Sequence, residues 1–167
     1  AELCAFSMGS DTSGSIRIPS AFHHLVGYKP SRHRFNQKQV FPLSTTLDEI
    51  GPIAKNVQDC FDVTNLFLNR APLLLDSTDL SNQTFIVPTN VVFEDIEASV
   101  LQRFQNVCLA LQDHGAKIIF QVVPELDLIT DAICKHGTFA AAESFYYHQP
   151  ILDSEAGKLI DQRVLDR

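Results

Sequence analysis

Apolar residues recur at three- and four-residue steps along three parts of the chain, and this spacing predicts three helices. We expect them at about residues 56–68, 95–114 and 126–147. Two short runs of β-branched and aromatic residues, at 84–87 and 117–123, predict strands, the first of them buried. A strand, a long crossover helix and a second strand imply parallel neighbours, so the pattern predicts an α/β fold.

Turn residues interrupt the apolar segments in the first third of the chain. The stretch GYKP (27–30) and the residues before it are strand-like, whereas PLSTTLDEIGP (42–52) predicts a loop. A polar stretch, MGSDTSGSIRIP (8–19), lies between apolar segments on both sides. A tight polar loop in an apolar neighbourhood indicates a segment that holds something.

The bulk composition indicates one soluble globular domain. The 167 residues are 45% hydrophobic, with no repeat, no signal peptide and no apolar run that could span a bilayer. We therefore expect a cytoplasmic protein without membrane contact. The acidic excess lies in residues 71–167, where fourteen Asp/Glu face six Lys/Arg. Such a surface repels a phosphate backbone, so nucleic-acid binding is not expected.

The four cysteines show no C-x-x-C pairing and lie within apolar stretches, which predicts buried, reduced thiols in a reducing compartment. They are Cys4, Cys60, Cys108 and Cys134. A metal site is not expected from them. Other scattered polar residues match no known site spacing and are expected to be structural: His114, Cys134 with His136, and Glu143 with His148.

The ends of the chain indicate a fragment. It has no initiating Met, it starts within an apolar segment, and it stops in KLIDQRVLDR, which is typical of the opening of an amphipathic helix. A truncated sheet would expose edges and apolar faces, and these favour self-association or the capture of a partner chain.

Three interpretations of the stretch 8–19 follow from its residues. It could be an ordinary structural turn made by glycines and side chains that cap the backbone. Its successive N–H groups could cradle an anion, although the Gly-Lys-Ser/Thr ending of a phosphate-binding loop is missing. A Ser beside Gly could also present its hydroxyl outward while neighbouring N–H groups stabilise an oxyanion. The stretch alone leaves all three open.

The surrounding residues resemble the signature segment of the amidase signature family. GSDTSGSIRIPSAF and GYKP are similar to the family pattern Gly-Ser-Asp-Thr-Gly-Gly-Ser-Ile-Arg-x-Pro, followed by Phe-Cys-Gly and Gly-x-Lys-Pro. PLSTTLDEIGPIAKNVQD extends the similarity, because the family's next motif falls on Asp48, Gly51, Pro52, Ala54, Val57 and Asp59. The similarity is dense over residues 8–59 and continues in outline to the end.

The resemblance implies an α/β/α sandwich around a mixed β-sheet, of which residues 1–167 would form one partial domain. Residues 1–60 would be a nucleophile-bearing segment and residues 61–167 an αβ segment. The implied activity is that of a Ser–cis-Ser–Lys amide hydrolase, which acts on a small amide and needs no cofactor and no metal.

The resemblance also implies the role of each residue in the loop. Ser15 maps to the family nucleophile. Asp11 and Arg17 map to positions that brace the loop, and a carboxylate and a guanidinium that flank a strained turn can pair. An oxyanion hole is implied from the backbone N–H groups of Thr12, Ser13, Gly14 and Ser15.

Two positions depart from the family pattern. Ser13 replaces the first Gly of a pair, which would cost on the order of 1 kcal/mol if that position needs a positive φ. His23 and His24 replace Cys-Gly. Adjacent histidines on a helix face different ways, so a shared metal site is not expected, and the two are candidates for lining a pocket and tuning substrate choice.

The family's general-base Lys and bridging cis-Ser belong to a segment that would precede Ala1, and no Lys occurs before Lys29. A Ser hydroxyl without a base is a poor nucleophile at neutral pH, so we expect the chain by itself to be inactive.

Three functions stay open at this point: a stand-alone amidase, the glutaminase subunit of a tRNA-dependent amidotransferase, and a non-catalytic relic used as an interaction domain. After its Glu-Ala-Ser the amidotransferase subunit carries Ala-Arg-Tyr-Asp-Gly-Val-Arg-Tyr-Gly. Here AAES continues as FYYHQPILDSEAGK, which is closer to free amidases and favours the first function.

Overall fold

A computed structural model describes residues 3–71 and 73–165 of the chain. Its strands are β1 (Phe6–Asp11), β2 (Val26–Gly27), β3 (Glu49–Ala54), β4 (Thr84–Pro88) and β5 (Lys117–Gln121). Its α-helices are α1 (Arg17–Phe22), α2 (Val57–Phe67), α3 (Ala98–Asp113), α4 (Pro124–His136), α5 (Phe139–Leu152) and α6 (Gln162–Leu165), and a 3-10 helix covers Glu155–Leu159. The predicted α/β fold class is confirmed.

These elements form two compact units. Unit 1 contains residues 1–75 and 138–167, and unit 2 contains residues 76–137. The strands lie in two small sheets, one antiparallel in unit 1 and one parallel in unit 2. The single partial domain and its segment boundary after residue 60 stay a prediction.

Unit 1 is built on a three-stranded antiparallel sheet in the order β1-β3-β2. The helix predicted over residues 56–68 is confirmed as α2, which packs against β3. Asn56 caps this helix, because its side chain accepts a hydrogen bond from the Asp59 N–H at 2.8 Å. Apolar residues buried in the unit are Ile16, Phe35, Ala54, Cys60 and Val63.

The loop predicted over residues 42–52 is wrong in its last part, because β3 begins at Glu49. Gly51 and Pro52 indicate a turn by composition, yet they lie in the middle of this strand. A Cβ on Gly51 would lie 1.9 Å from the carbonyl oxygen of Tyr28, and Pro52 accepts the Tyr28 N–H at 3.0 Å. The close approach of another backbone segment therefore explains this glycine.

The strand expected around GYKP is shorter than predicted. β2 covers Val26–Gly27, and only the Tyr28 N–H continues its pairing with β3. The chain leaves the sheet at Pro30, which has no N–H to donate to a ladder.

Unit 2 confirms the predicted strand–helix–strand unit. β4 and β5 pair in parallel, with Thr84 opposite Lys117, and α3 packs against β5. The helix begins three residues later than the spacing predicts, at Ala98. The burial expected for the strand at 84–87 is wrong, since only Val87 is buried. A two-stranded sheet with α3 against β5 leaves most of β4 at the surface of the unit.

The single helix predicted over residues 126–147 is also wrong. The structure has two helices there, α4 and α5, which belong to different units. The break falls at Gly137 and Thr138, and the Thr138 hydroxyl accepts the Ala141 N–H at 3.1 Å. This N-cap starts a new helix, which a pattern of apolar residues alone does not reveal.

The burial predicted for the cysteines is half correct. Cys60 and Cys108 are buried, whereas Cys4 and Cys134 are exposed, and all four are free thiols. Cys134 lies on α4, in which no described residue is buried. No helix within residues 3–71 and 73–165 is long and apolar enough to cross a membrane.

The close approach at Gly51 gives a stability prediction. We expect Gly51→Ala to destabilise unit 1 by about 3 kcal/mol, because a methyl group would collide with the backbone of Tyr28. The matched control is Gly9→Ala on the directly opposite residue of β1, where the nearest atom is the Ile16 Cγ1 at 3.2 Å. Urea denaturation measures both variants. Equal losses in the two variants would contradict this interpretation of Gly51.

Candidate active site

The polar loop predicted at residues 8–19 is a strand, a turn and a helix in the structure. β1 ends at Asp11, the turn covers residues 12–16, and α1 begins at Arg17. The Ile18 N–H donates to the Gly14 carbonyl at 2.8 Å and closes the turn. Ile16 is fully buried, whereas Ser15 is exposed. The fold therefore anchors the residue after Ser15 and leaves its hydroxyl at the surface.

Asp11 anchors this turn from inside. Its side chain is fully buried, and its carboxylate accepts backbone N–H groups from Gly14 at 2.7 Å, Ile16 at 3.3 Å and Arg17 at 3.4 Å. Successive N–H groups that converge on one carboxylate fix the path of the backbone between them. One side chain thus holds both the turn and the start of α1.

Arg17 completes the anchor through a bidentate pair. Its Nε lies 2.9 Å from Oδ2 of Asp11 and its Nη2 lies 3.0 Å from Oδ1, while its side chain is 53% exposed. The guanidinium, followed by the N–H groups of the turn, lowers the pKa of Asp11 from 3.8 to about 2, although burial opposes this change. Asp11 in turn raises the pKa of Arg17.

Gly14 and Ser13 differ in backbone conformation. Gly14 has φ of 128°, and a Cβ there would lie 2.6 Å from Cδ1 of Ile18. Ser13 does not belong to the described residues with a positive φ, so the strain considered for this position is absent. The second glycine of the family pair is therefore the one that the turn requires, and a Ser fits at the first.

The N–H groups of the turn fall into two sets. The Gly14 N–H donates to Asp11. The N–H groups of Thr12, Ser13 and Ser15 take part in no hydrogen bond with any residue that the structure describes. Three donors beside the exposed Ser15 hydroxyl are thus available to a bound group.

Asp48 is a contact of this turn that sequence reasoning did not assign. It is buried, its carboxylate accepts the Thr12 hydroxyl, and its Oδ2 accepts the N–H groups of Leu43 at 2.8 Å and Ser44 at 2.9 Å. The available signal was its position in the second family motif, 33 residues after Ser15. The contact ties the turn to the segment 43–46.

The expectation of structural roles for Glu143 and His148 is met by contacts with the same segment. Glu143 on α5 accepts the Ser44 hydroxyl at 2.6 Å and the Thr46 N–H at 3.0 Å, and it also accepts the Thr46 hydroxyl. These bonds, that of Ser44 first, lower the pKa of Glu143. His148 lies 2.7 Å from the Pro42 carbonyl.

His23 and His24 lie at the C-terminal end of α1, and both are exposed. His24 has φ of 54°, in the left-handed region where the family pattern has Gly. A non-glycine residue there costs on the order of 1 kcal/mol. Their part in lining a pocket stays a prediction. Within residues 3–71 and 73–165, no three His, Cys, Asp or Glu residues come together as a metal site.

The pKa of Asp11 gives a prediction about pH. A carboxylate whose pKa is lower in the folded state stabilises the fold above its unfolded pKa, and this contribution is lost as the pH falls through the folded value of about 2. We expect the loss between about pH 5 and pH 2 to be about 1–2 kcal/mol, since water screens the half-exposed Arg17. Urea denaturation across this range measures it.

The control is Asp11→Asn, which cannot titrate. This variant should be less stable at neutral pH and should lose less stability on acidification than the parent chain. An identical acid profile in the two proteins would show that Asp11 does not carry the contribution.

The comparisons with known proteins match this geometry. The sequence model of the Amidase family matches residues 1–164. The A subunit of glutamyl-tRNA(Gln) amidotransferase from Chlamydia pneumoniae is 28% identical over 155 residues, which cover 86% of this chain and 31% of that protein. The chain therefore spans about a third of the length of the curated relatives it matches.

Solved structures share the fold. A crystal structure of an amidase has a TM-score of 0.77 at 26% identity, over 95% of this chain and 35% of that one. The A subunit of glutamyl-tRNA(Gln) amidotransferase from Thermotoga maritima has a TM-score of 0.70 at 26% identity, over 96% and 37% of the two chains. With a family match over nearly its whole length and the signature loop folded around Asp11, this chain belongs to the Amidase family.

Proposed function

We propose that this chain carries the nucleophile and the oxyanion-binding turn of an enzyme that hydrolyses the carbon–nitrogen bond of a small amide. The observation that supports it most is the exposed Ser15 at the apex of a turn held by a buried carboxylate. Membership of the Amidase family gives this geometry its chemical meaning.

In this mechanism the Ser15 hydroxyl oxygen attacks the carbonyl carbon of the amide while its proton passes to a general base. The tetrahedral oxyanion is stabilised by the N–H groups of Thr12, Ser13 and Ser15, which are free in this conformation. The carbon–nitrogen bond then breaks, and the amine or ammonia leaves with the relayed proton. Water finally cleaves the acyl–Ser15 ester, which releases the acid and returns a proton to the Ser15 oxygen.

Gly14 has a narrower part than the resemblance implies. Its N–H donates to Asp11, so we assign it to holding the turn and place the oxyanion on the other three donors. Asp11 and Arg17 brace the loop and do not attack. The mechanism uses no cofactor, and the bridging cis-Ser and base Lys would come from outside residues 1–167. Inactivity of the chain by itself therefore stays a prediction.

A second candidate is the glutaminase subunit of an amidotransferase, because curated relatives of this chain carry that name. Such a subunit would work with partner subunits. The sequence after Glu143 favours the stand-alone amidase, since it lacks the stretch expected of the amidotransferase. Glutamine hydrolysis that requires a co-purifying partner would favour the second candidate. A non-catalytic relic would release no ammonia in either assay.

Covalent labelling tests the nucleophile. We expect a fluorophosphonate probe to modify the protein purified in its native form at Ser15, because that hydroxyl is exposed beside three N–H donors. Peptide mapping by mass spectrometry locates the adduct. Ser15→Ala should abolish labelling and ammonia release, while the matched variants Ser10→Ala and Ser13→Ala should still be labelled. Labelling that survives Ser15→Ala would overturn the assignment.

A further inference from the structure

Two carboxylates far apart in the sequence connect the nucleophile turn to helix α5. Asp48 accepts three hydrogen bonds, one from the Thr12 hydroxyl and two from the backbone N–H groups of Leu43 and Ser44. A buried carboxylate that accepts several N–H and O–H groups forms strong, charge-assisted bonds. It fixes the Thr12 side chain to the segment 43–46 and leaves it little freedom to rotate.

Glu143 holds the other side of that segment. It accepts the hydroxyl of Ser44, which is fully buried, and both the N–H and the hydroxyl of Thr46. Ser44 is thus bonded to Asp48 through its N–H and to Glu143 through its hydroxyl. The path Glu143–Ser44–Asp48–Thr12 lies wholly within unit 1.

The position of Thr12 makes this path relevant to the chemistry. Asp11 fixes the backbone from Gly14 onward, but no hydrogen bond of its carboxylate reaches Thr12 or Ser13 among the described residues. The Thr12 hydroxyl is therefore the described side-chain contact that restrains the first half of the turn. That half contributes two of the three N–H donors beside Ser15.

We propose that Asp48 and Glu143 are positioning residues that hold the Thr12 and Ser13 N–H groups in place for the oxyanion. This inference rests on the proposed function for its chemical meaning, while the restraint itself can be measured without activity. Donors that are already fixed need no reorganisation when negative charge develops, which is why a rigid turn favours catalysis.

Backbone order parameters from ¹⁵N relaxation on the full 167-residue chain test the first link. We expect Thr12→Val, which removes the hydroxyl, to lower the order parameters of residues 12 and 13 from about 0.85 to below about 0.6. Thr12→Ser keeps a hydroxyl and should keep the higher values. A valine variant that is as ordered as the serine variant would overturn the proposal.

Glu143→Ala tests the distant link. It should lower the order parameters of the same two residues by a smaller amount, because Ser44 and Asp48 lie between. The matched control is Asp153→Ala at the end of the same helix, whose side chain bonds to no residue that the structure describes. A purely structural role of Glu143 would lower the melting temperature and leave residues 12 and 13 as ordered as the rest of the turn, and that result would remove Glu143 from the proposal.

Failure of this proposal and failure of the proposed function are distinguishable. If Ser15→Ala keeps its labelling while Thr12→Val loses local order, the restraint is real and the function assigned to it is wrong. If Ser15 is the labelled residue and the order parameters of the variants do not change, the nucleophile stands without this restraint.

Discussion

The fully buried carboxylate of Asp11 is the constraint on which the rest of unit 1 depends. Taking an ionised carboxylate out of water costs several kcal/mol unless hydrogen bonds and an opposite charge replace the water. Here the replacement consists of three backbone N–H groups and a bidentate guanidinium. Those donors come from the turn and from the first residue of α1, so the chain can satisfy the charge only by folding sharply after β1. The same fold leaves Ser15 exposed.

Asp11 belongs to a small group of buried acids that meet at one end of the β1–β3 pair. Asp11 lies opposite Glu49 in the sheet, and Asp48 is the residue before it. Each has its own donors: Glu49 accepts the His33 N–H and the Gln37 amide, both at 3.1 Å. Three separate polar segments are thereby drawn to the same place, where apolar packing could not specify them as closely.

Local patterns in the sequence predicted what local physics determines. The helix at 56–68, the parallel pair of β4 and β5 and the family signature are all found, because periodicity, length and motif order act over short stretches. The errors have non-local causes. Gly51 and Pro52 indicate a turn until the backbone of Tyr28 is known to lie 1.9 Å from a Cβ there, and the contacts of Asp48 and Glu143 join residues 36 and 97–99 positions apart.

The measurement that tests the central claim most directly is a double-mutant cycle on Asp11 and Arg17, with the free energy of unfolding as the readout. Asp11→Ala and Arg17→Ala should each destabilise the chain, and the double variant should lose about 1–2 kcal/mol less than the sum of the two. The control cycle uses Lys158 and Glu155, an exposed ion pair whose coupling should be close to zero. A coupling between Asp11 and Arg17 as small as that of the control would contradict the account.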